Sequence, residues 1–215
     1  MKHTKFSNNS LRQIDQYFDD YISAQKIAGC SLLLWQSEAE RYTMFKGVQD
    51  LESGTPVSRD TIFRIYSMTK PVASVALMML WDRGYFDLND PIARFLPKFN
   101  EMTLYRPDGD HVSAAGQIKM QHVLNHTAGF ILPAFSEHPL REFYVSDGVN
   151  GSRSEGTLTD VIDRLANKPL LFEPGTRWEY SMATDVVGHL IEVIDGRPFD
   201  TFLQEEIFAP LGLVD

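Results

Sequence analysis

Apolar residues first recur at helical spacing. Leu11, Ile14, Phe18, Tyr21 and Ile22 mark one face of an amphipathic helix that runs to about Lys26, with Ser10 and Gln13 as its capping box. The pattern then changes to extended. Gly29 to Trp35 and Arg41 to Phe45 predict an antiparallel hairpin with a polar turn at Ser37–Glu40. A stretch rich in turn residues, 47 to 59, leads to a short predicted strand at Ile62–Ile65 and then to the nearly unbroken apolar run Val72 to Leu80, a buried helix. Beyond Pro91 the pattern is one of short helices broken by Pro and Gly. The segment from Ile131 to Gly156 lacks a period and reads as a long loop over a site, since loops of that length inside a domain are usually functional. Thr157 starts a helix to about Asn167, and Thr184 starts another through Val187, Leu190 and Ile191. No internal repeat or low-complexity run interrupts this order.

Composition narrows the classes. At 215 residues, 43% hydrophobic and 23% charged, the chain can bury a sizeable core. A net charge of −9 argues against nucleic acid or an anionic membrane as partner. The first ten residues have no apolar core of a signal peptide, and no apolar run approaches the length of a membrane span. Cys30 is the single cysteine, which rules out an internal disulfide and suits a reducing, cytoplasmic setting. Inside Ala28-Gly-Cys-Ser-Leu-Leu-Leu-Trp35 it reads as a small packed hydrophobe.

The candidate chemistry lies at the head of the apolar run, in Arg64-Ile-Tyr-Ser-Met-Thr-Lys-Pro71. A serine at the mouth of a buried helix faces unpaired first-turn N–H groups and a dipole that favours negative charge. Lys70, one turn on from Ser67, shares its face; a desolvated lysine there is neutral at working pH and accepts the serine proton. The spacing alone is weak, because roughly one S-x-x-K is expected by chance in such a chain. Ser23-Ala-Gln-Lys26 is a second copy, on an amphipathic surface helix with nothing to bury or activate it. Two other chemistries fail on their own residues. His122 and His126 stand at zinc-ligand spacing, but Val123 replaces the glutamate of the H-E-x-x-H pattern and no third ligand is in view, so packed or hydrogen-bonded histidines fit better. No G-x-S-x-G elbow of a Ser-His-Asp hydrolase occurs.

Five segments, in order, resemble the class C β-lactamase-like serine hydrolases, a group of β-lactamases, D-amino-acid peptidases and family VIII carboxylesterases. Thr61-Ile-Phe-Arg-Ile-Tyr-Ser-Met-Thr-Lys-Pro71 is similar to the nucleophile segment, and Asp87-Leu-Asn-Asp-Pro-Ile-Ala-Arg-Phe-Leu-Pro97 to the turn and short helix after it. Val123-Leu-Asn-His-Thr-Ala-Gly129 resembles a Leu-Leu-x-His-Thr-Ser-Gly signature, with Ala128 in place of Ser. Phe172-Glu-Pro-Gly-Thr-Arg-Trp-Glu-Tyr-Ser181 resembles the segment that presents the catalytic tyrosine, and Phe208-Ala-Pro-Leu-Gly-Leu-Val-Asp215 the Pro-Leu-Gly-Met-x-Asp stretch. The resemblance implies an α/β plus all-α, class C β-lactamase/DD-peptidase-like fold, in which an antiparallel sheet with flanking helices accompanies a helical region. Residues 1–66 would be the N-terminal part of the α/β domain, and 67–215 the nucleophile helix with the helical region. It implies Ser67 as acylated nucleophile, Lys70 as proton acceptor and Tyr180 as second base, with Tyr66, Trp178 and Met182 as substrate contacts and no cofactor or metal.

Two departures from the pattern shape the expected substrate and state. The lactamases have an asparagine two residues after the tyrosine, where this chain has Met182, a poor hydrogen-bonding group. With the wording of the nucleophile segment, that tilts the expectation to short-chain carboxylic esters; a β-lactam or D-amino-acid peptide is the alternative. The family's third motif, Lys/His/Trp-Ser/Thr-Gly, whose strand supplies one oxyanion-hole N–H, has no match here. By resemblance, the chain covers half to three-fifths of a family member. It is therefore expected to need the remaining strands, or self-association at the open edge of its hairpin, for activity; an inactive remnant is the reading from outside catalysis.

Overall fold

The computed structural model describes residues 6–36 and 39–213. They form two compact units, one ending at Arg64 and the other beginning at Ile65; the resemblance implies a division after residue 66.

The first unit opens with α1, Asn8–Ser23. Its cap is Ser7, not Ser10. The Ser7 hydroxyl accepts the Ser10 N–H at 3.0 Å, the reach of an N-cap to its third residue, and Ser10 then lies inside the first turn. The helix also stops earlier than expected: Gln25 takes φ 54, and the Lys26 N–H folds back to the Tyr21 carbonyl. The antiparallel hairpin follows as β1, Gly29–Gln36, and β2, Ala39–Gly47, with a register shift at Leu34/Trp35. Part of its expected turn, Ser37 and Glu38, lies outside the described residues. Gly29 and Gly47 face each other at its open end; a Cβ on Gly47 would stand 2.2 Å from the Ala28 carbonyl oxygen, so the strands close only over glycine. Lys46 on β2 joins α1 through Asp19 at 2.7 Å and Asp15 at 3.4 Å, and Tyr42 hydrogen-bonds to Asp15.

The strand expected at Ile62–Ile65 is not formed. Residues 61–65 are irregular, and Ile62, Phe63 and Ile65 are exposed. Their composition suits a strand, but a strand exists only through its ladder partner, and none pairs with them among the described residues.

In the second unit, α2 (Thr69–Asp82) buries Ala73, Ala76, Leu77 and Leu80, one stripe at helical spacing. It packs on α6 (Ala183–Asp195), which also meets α3 (Met120–Leu124), α5 (Leu158–Leu165) and α7 (Phe199–Leu203). Seven residues of α6 are buried, as its position among four helices requires. Between α2 and α3, a short antiparallel ribbon pairs β3 (Thr103–Leu104) with β4 (Val112–Ser113). Thr157 and Asp160 form a capping box that starts α5, and Thr184 lies in the first turn of α6. Past α6, Arg197 donates to Asp195, Glu205 and Glu206, while Arg83, beyond α2, reaches the same Glu206. This ties the last turns to the end of α2.

The segment from Ile131 to Gly156 is not a long loop. It holds a 3₁₀ turn at Pro133–Phe135, the helix α4 (Leu140–Val145) and a second 3₁₀ turn at Gly151–Arg153. Ile131, Leu140, Tyr144 and Val149 are fully buried, and the Tyr144 hydroxyl donates to the Pro169 carbonyl at 3.3 Å. Among the described residues, no helix is long and apolar enough to cross a membrane.

Candidate active site

Ser67 lies in a 3₁₀ turn, Tyr66–Met68, that runs straight into α2. Tyr66 before it takes φ 44, in the left-handed region that a bulky side chain seldom occupies. Strain of this kind costs about 1–3 kcal/mol and is kept where the surrounding structure requires it. Ser67 is open to solvent, whereas Lys70 is half-buried and continues the inward stripe of Ala73, Leu77 and Leu80 by one turn. The packing of α2 on α6 thereby holds Lys70 at the edge of the core.

Tyr180 meets both residues. Its hydroxyl is 2.7 Å from Ser67 Oγ, and Lys70 Nζ stands 4.8 Å from its ring centroid. The Lys70 ammonium first, and the Ser67 hydroxyl second, draw the phenol below its ordinary pKa against a weaker opposing effect of burial. Lys70 acts on the phenol chiefly at short range, as a donor toward its oxygen, and only weakly as a more distant charge. Asp185, in the first turn of α6, acts weakly against this lowering of the Tyr180 phenol. Burial holds its carboxyl above the ordinary range, with Lys70 pulling the other way.

Two segments running alongside one another hold Tyr180. The Leu171 N–H donates to the Gly129 carbonyl and the Gly175 N–H to that of Thr127, both at 2.8 Å; Glu179 donates to His126 at 3.0 Å and Met182 to Ile131 at 3.3 Å. Gly129 has φ +92, and a Cβ there would lie 2.6 Å from the Phe172 carbonyl oxygen. The turn before it is set by Asn125, whose side chain accepts from the Thr127 hydroxyl at 2.6 Å and from its N–H at 3.1 Å. Ala128 is fully buried between them.

The remaining candidates divide. Tyr66 and Trp178 are exposed beside the Ser67–Tyr180 pair, Trp178 with its ring centroid 6.5 Å from that of Tyr180. Met182 does not reach this surface. Its side chain is fully buried, because the chain has already turned there to cap α6, so the expected substrate contact is corrected to a core position. Ser23 and Lys26 sit exposed at and beyond the end of α1. His122 and His126 do not share a helix, since α3 ends at Leu124 and His126 takes φ 60 beyond it. The described residues contain no group of three metal-ligating side chains.

Three residues join the site beyond those the sequence marks for chemistry, His126 among them as the hydrogen-bonded histidine its sequence suggests. His126 lies against Tyr180, and Phe135, 79% exposed, stands with its ring centroid 6.4 Å from that of Tyr180. Asp185 is the third, and its signal was present: a lone carboxylate opening the apolar run Val186 to Ile191. Phe135 gave none.

Residues 14–215 match the family model described as Beta-lactamase. The chain belongs to this family. Esterase EstB of Burkholderia gladioli is 30% identical over 205 residues, 94% of this chain and 50% of that protein. Monacolin J acid methylbutanoyltransferase of Aspergillus terreus is 32% identical over 165 residues, 74% of this chain and 38% of that protein. Among solved structures, that of EstCE1, described as a hydrolase with promiscuous acyltransferase activity, superposes with a TM-score of 0.80 at 30% identity, over 94% of this chain and 51% of that one. The chain spans about half the length of these relatives. Its fold is the mixed helix-and-sheet, β-lactamase-like fold expected from the five segments, and the family is one of serine hydrolases and related acyl-transfer enzymes.

Proposed function

We propose that this Beta-lactamase-family chain carries the nucleophile and proton-transfer groups of a serine esterase acting on short-chain carboxylic esters. The contact of Ser67 Oγ with Tyr180 Oη at 2.7 Å, beneath a lysine, carries the reading. With Lys70 as a cation that favours the phenolate, Tyr180 rather than Lys70 takes the serine proton. The Ser67 oxygen bonds to the ester carbonyl carbon, the bond to the alcohol oxygen breaks, and Tyr180 returns the proton to the departing alcohol. Water then gives its proton to Tyr180 and attacks the acyl carbon, and Ser67 leaves as the free hydroxyl with the carboxylic acid as product. An alcohol in place of water makes the same second step an acyl transfer. The names of the methylbutanoyltransferase and of EstCE1 favour that as a second reading.

The preference for esters rests on the exposed aromatic rings about Tyr180, namely Phe135 and Trp178, and on the esterase relative; buried Met182 acts only by filling the core. A chromogenic butyrate ester is therefore expected to be hydrolysed and a chromogenic cephalosporin not. Faster opening of the cephalosporin would overturn the ester assignment.

The sequence has no Lys/His/Trp-Ser/Thr-Gly tripeptide to provide a second oxyanion donor. Loss of one such donor costs about a hundred- to a thousandfold in rate. Turnover by residues 1–215 alone is expected to rise by that order when a segment bearing the donor strand is supplied in trans. Equal rates with and without it would mean that the described residues complete the hole.

A further inference from the structure

His126 grips the chain on both sides of Tyr180. Its carbonyl accepts the Glu179 N–H at 3.0 Å, and its Nδ1 faces Ser181, 3.3 Å from the N–H and 3.2 Å from Oγ. Between these two anchors its ring lies against the Tyr180 ring, with centroids 5.1 Å apart and planes inclined by 36°. A backbone N–H can only donate, so Nδ1 must be the acceptor and the ring proton must sit on Nε2. Burial first, and the nearby Lys70 second, hold the His126 pKa below its ordinary value, which keeps the ring in this neutral form.

The backbone gives an independent sign. Among the described residues, three other than glycine have positive φ, and two of them are Tyr66, before the serine, and His126, beside the tyrosine. An observed outlier of this kind is strained and is a mark of a site where geometry is imposed. Here the left-handed turn is what lets one residue present both its carbonyl and its side chain to the same short stretch, 179–181.

We infer that His126 is a positioning residue for Tyr180: through its carbonyl and an unprotonated Nδ1 it clamps Glu179 and Ser181 and so fixes the phenol oxygen against Ser67. The inference rests on the reading of Tyr180 as the base toward Ser67. Ser181, only 2% exposed, is in turn a partner of this clamp and not a second nucleophile. His126 itself touches no reacting atom; its effect passes through Tyr180.

The test uses the whole chain and the saturation kinetics of a fluorophosphonate on Ser67, in the wild type, His126→Gly and His126→Asn. Glycine adopts φ 60 without strain and keeps the backbone carbonyl that accepts the Glu179 N–H, but has no side-chain acceptor; asparagine tolerates that region and offers a side-chain carbonyl oxygen to the Ser181 N–H. Misplacement of a proton acceptor by about 1 Å costs up to a hundredfold, so His126→Gly is expected to lower the limiting labelling rate by on the order of tenfold or more. The half-saturating probe concentration should stay within about twofold, because probe binding is untouched. His126→Asn should recover most of the rate. A limiting rate unchanged in the glycine variant, a change confined to half-saturation, or no recovery with asparagine would each overturn the inference. Nitrogen NMR of the histidine-labelled wild type gives a result independent of any variant's folding. In the neutral ring, observed at pH 8, the expected His126 has a bare Nδ1 and a protonated Nε2; the opposite tautomer would overturn the clamp. Failure of Ser67 to react at all would remove the underlying reading and the inference with it, whereas a reactive Ser67 indifferent to His126 removes the inference alone.

Discussion

Ser67→Ala is expected to reduce ester turnover and fluorophosphonate labelling to background while leaving the melting temperature nearly unchanged. The side chain is exposed at the start of α2, so truncating its hydroxyl leaves no cavity, and its one side-chain partner, Tyr180 Oη, keeps access to water. Loss of activity without loss of stability separates a nucleophile from a structural serine. The same substitution at Ser23, which lies at the exposed end of α1, should change neither quantity. Residual turnover in Ser67→Ala comparable with the wild type would move the chemistry elsewhere.

Tyr180→Phe and Lys70→Ala are each expected to lower Ser67 acylation by on the order of a hundredfold or more, as for loss of a positioned proton acceptor or of the charge that prepares it. Their pH profiles should differ, and that difference distinguishes the two roles. Tyr180 is held below the ordinary phenol value of about 10, so the wild-type rate should rise with pH as phenolate forms and fall as pH drops through that lowered value. Lys70 is the largest cause of the lowering, so Lys70→Ala should move the midpoint to higher pH. Tyr180→Phe should abolish the rise. A midpoint that stays in place without Lys70 would show that the lysine does not prepare the phenol.

What could be read from the sequence was whatever is local. The Ser67 segment stands out because Lys70 and the stripe Ala73, Ala76, Leu77 and Leu80 belong to one helix, and Ser67 lies in the turn that runs into it. Tyr180 became a candidate only through the wording of its segment, since a lone tyrosine has no local sign of chemistry. The errors arose where a partner distant in sequence decides. Ile62–Ile65 has the composition of a strand, but pairing makes a strand, and composition does not reveal the pair. In the segment after Ile131, the buried residues Ile131, Leu140, Tyr144 and Val149 are too unevenly spaced to show a helical or an extended period, and short turns and helices carry them inward.

Met182 shows a different limit. The resemblance puts it at the position of the lactamase asparagine and so among the substrate contacts, but there, two residues after Tyr180, the backbone caps α6, and the side chain is buried in the core. His126 was hidden for a similar reason. Its spacing from His122 reads as a helix face until the backbone is seen to leave α3 at Leu124 and enter the left-handed region. A φ angle imposed by long-range contacts leaves no mark on composition. Only the Asn125 turn before it and Gly129 after it, both legible as turn residues, show that the helix must end there.

The most direct measurement is the site of covalent modification. The wild-type chain is treated with a fluorophosphonate, digested and mapped by mass spectrometry, with the heat-denatured chain as control. A single adduct on Ser67 is expected in the native sample only, on the peptide that contains Tyr66 and Met68. An adduct on Ser23, on Ser181, or on several serines alike in native and denatured samples would contradict it.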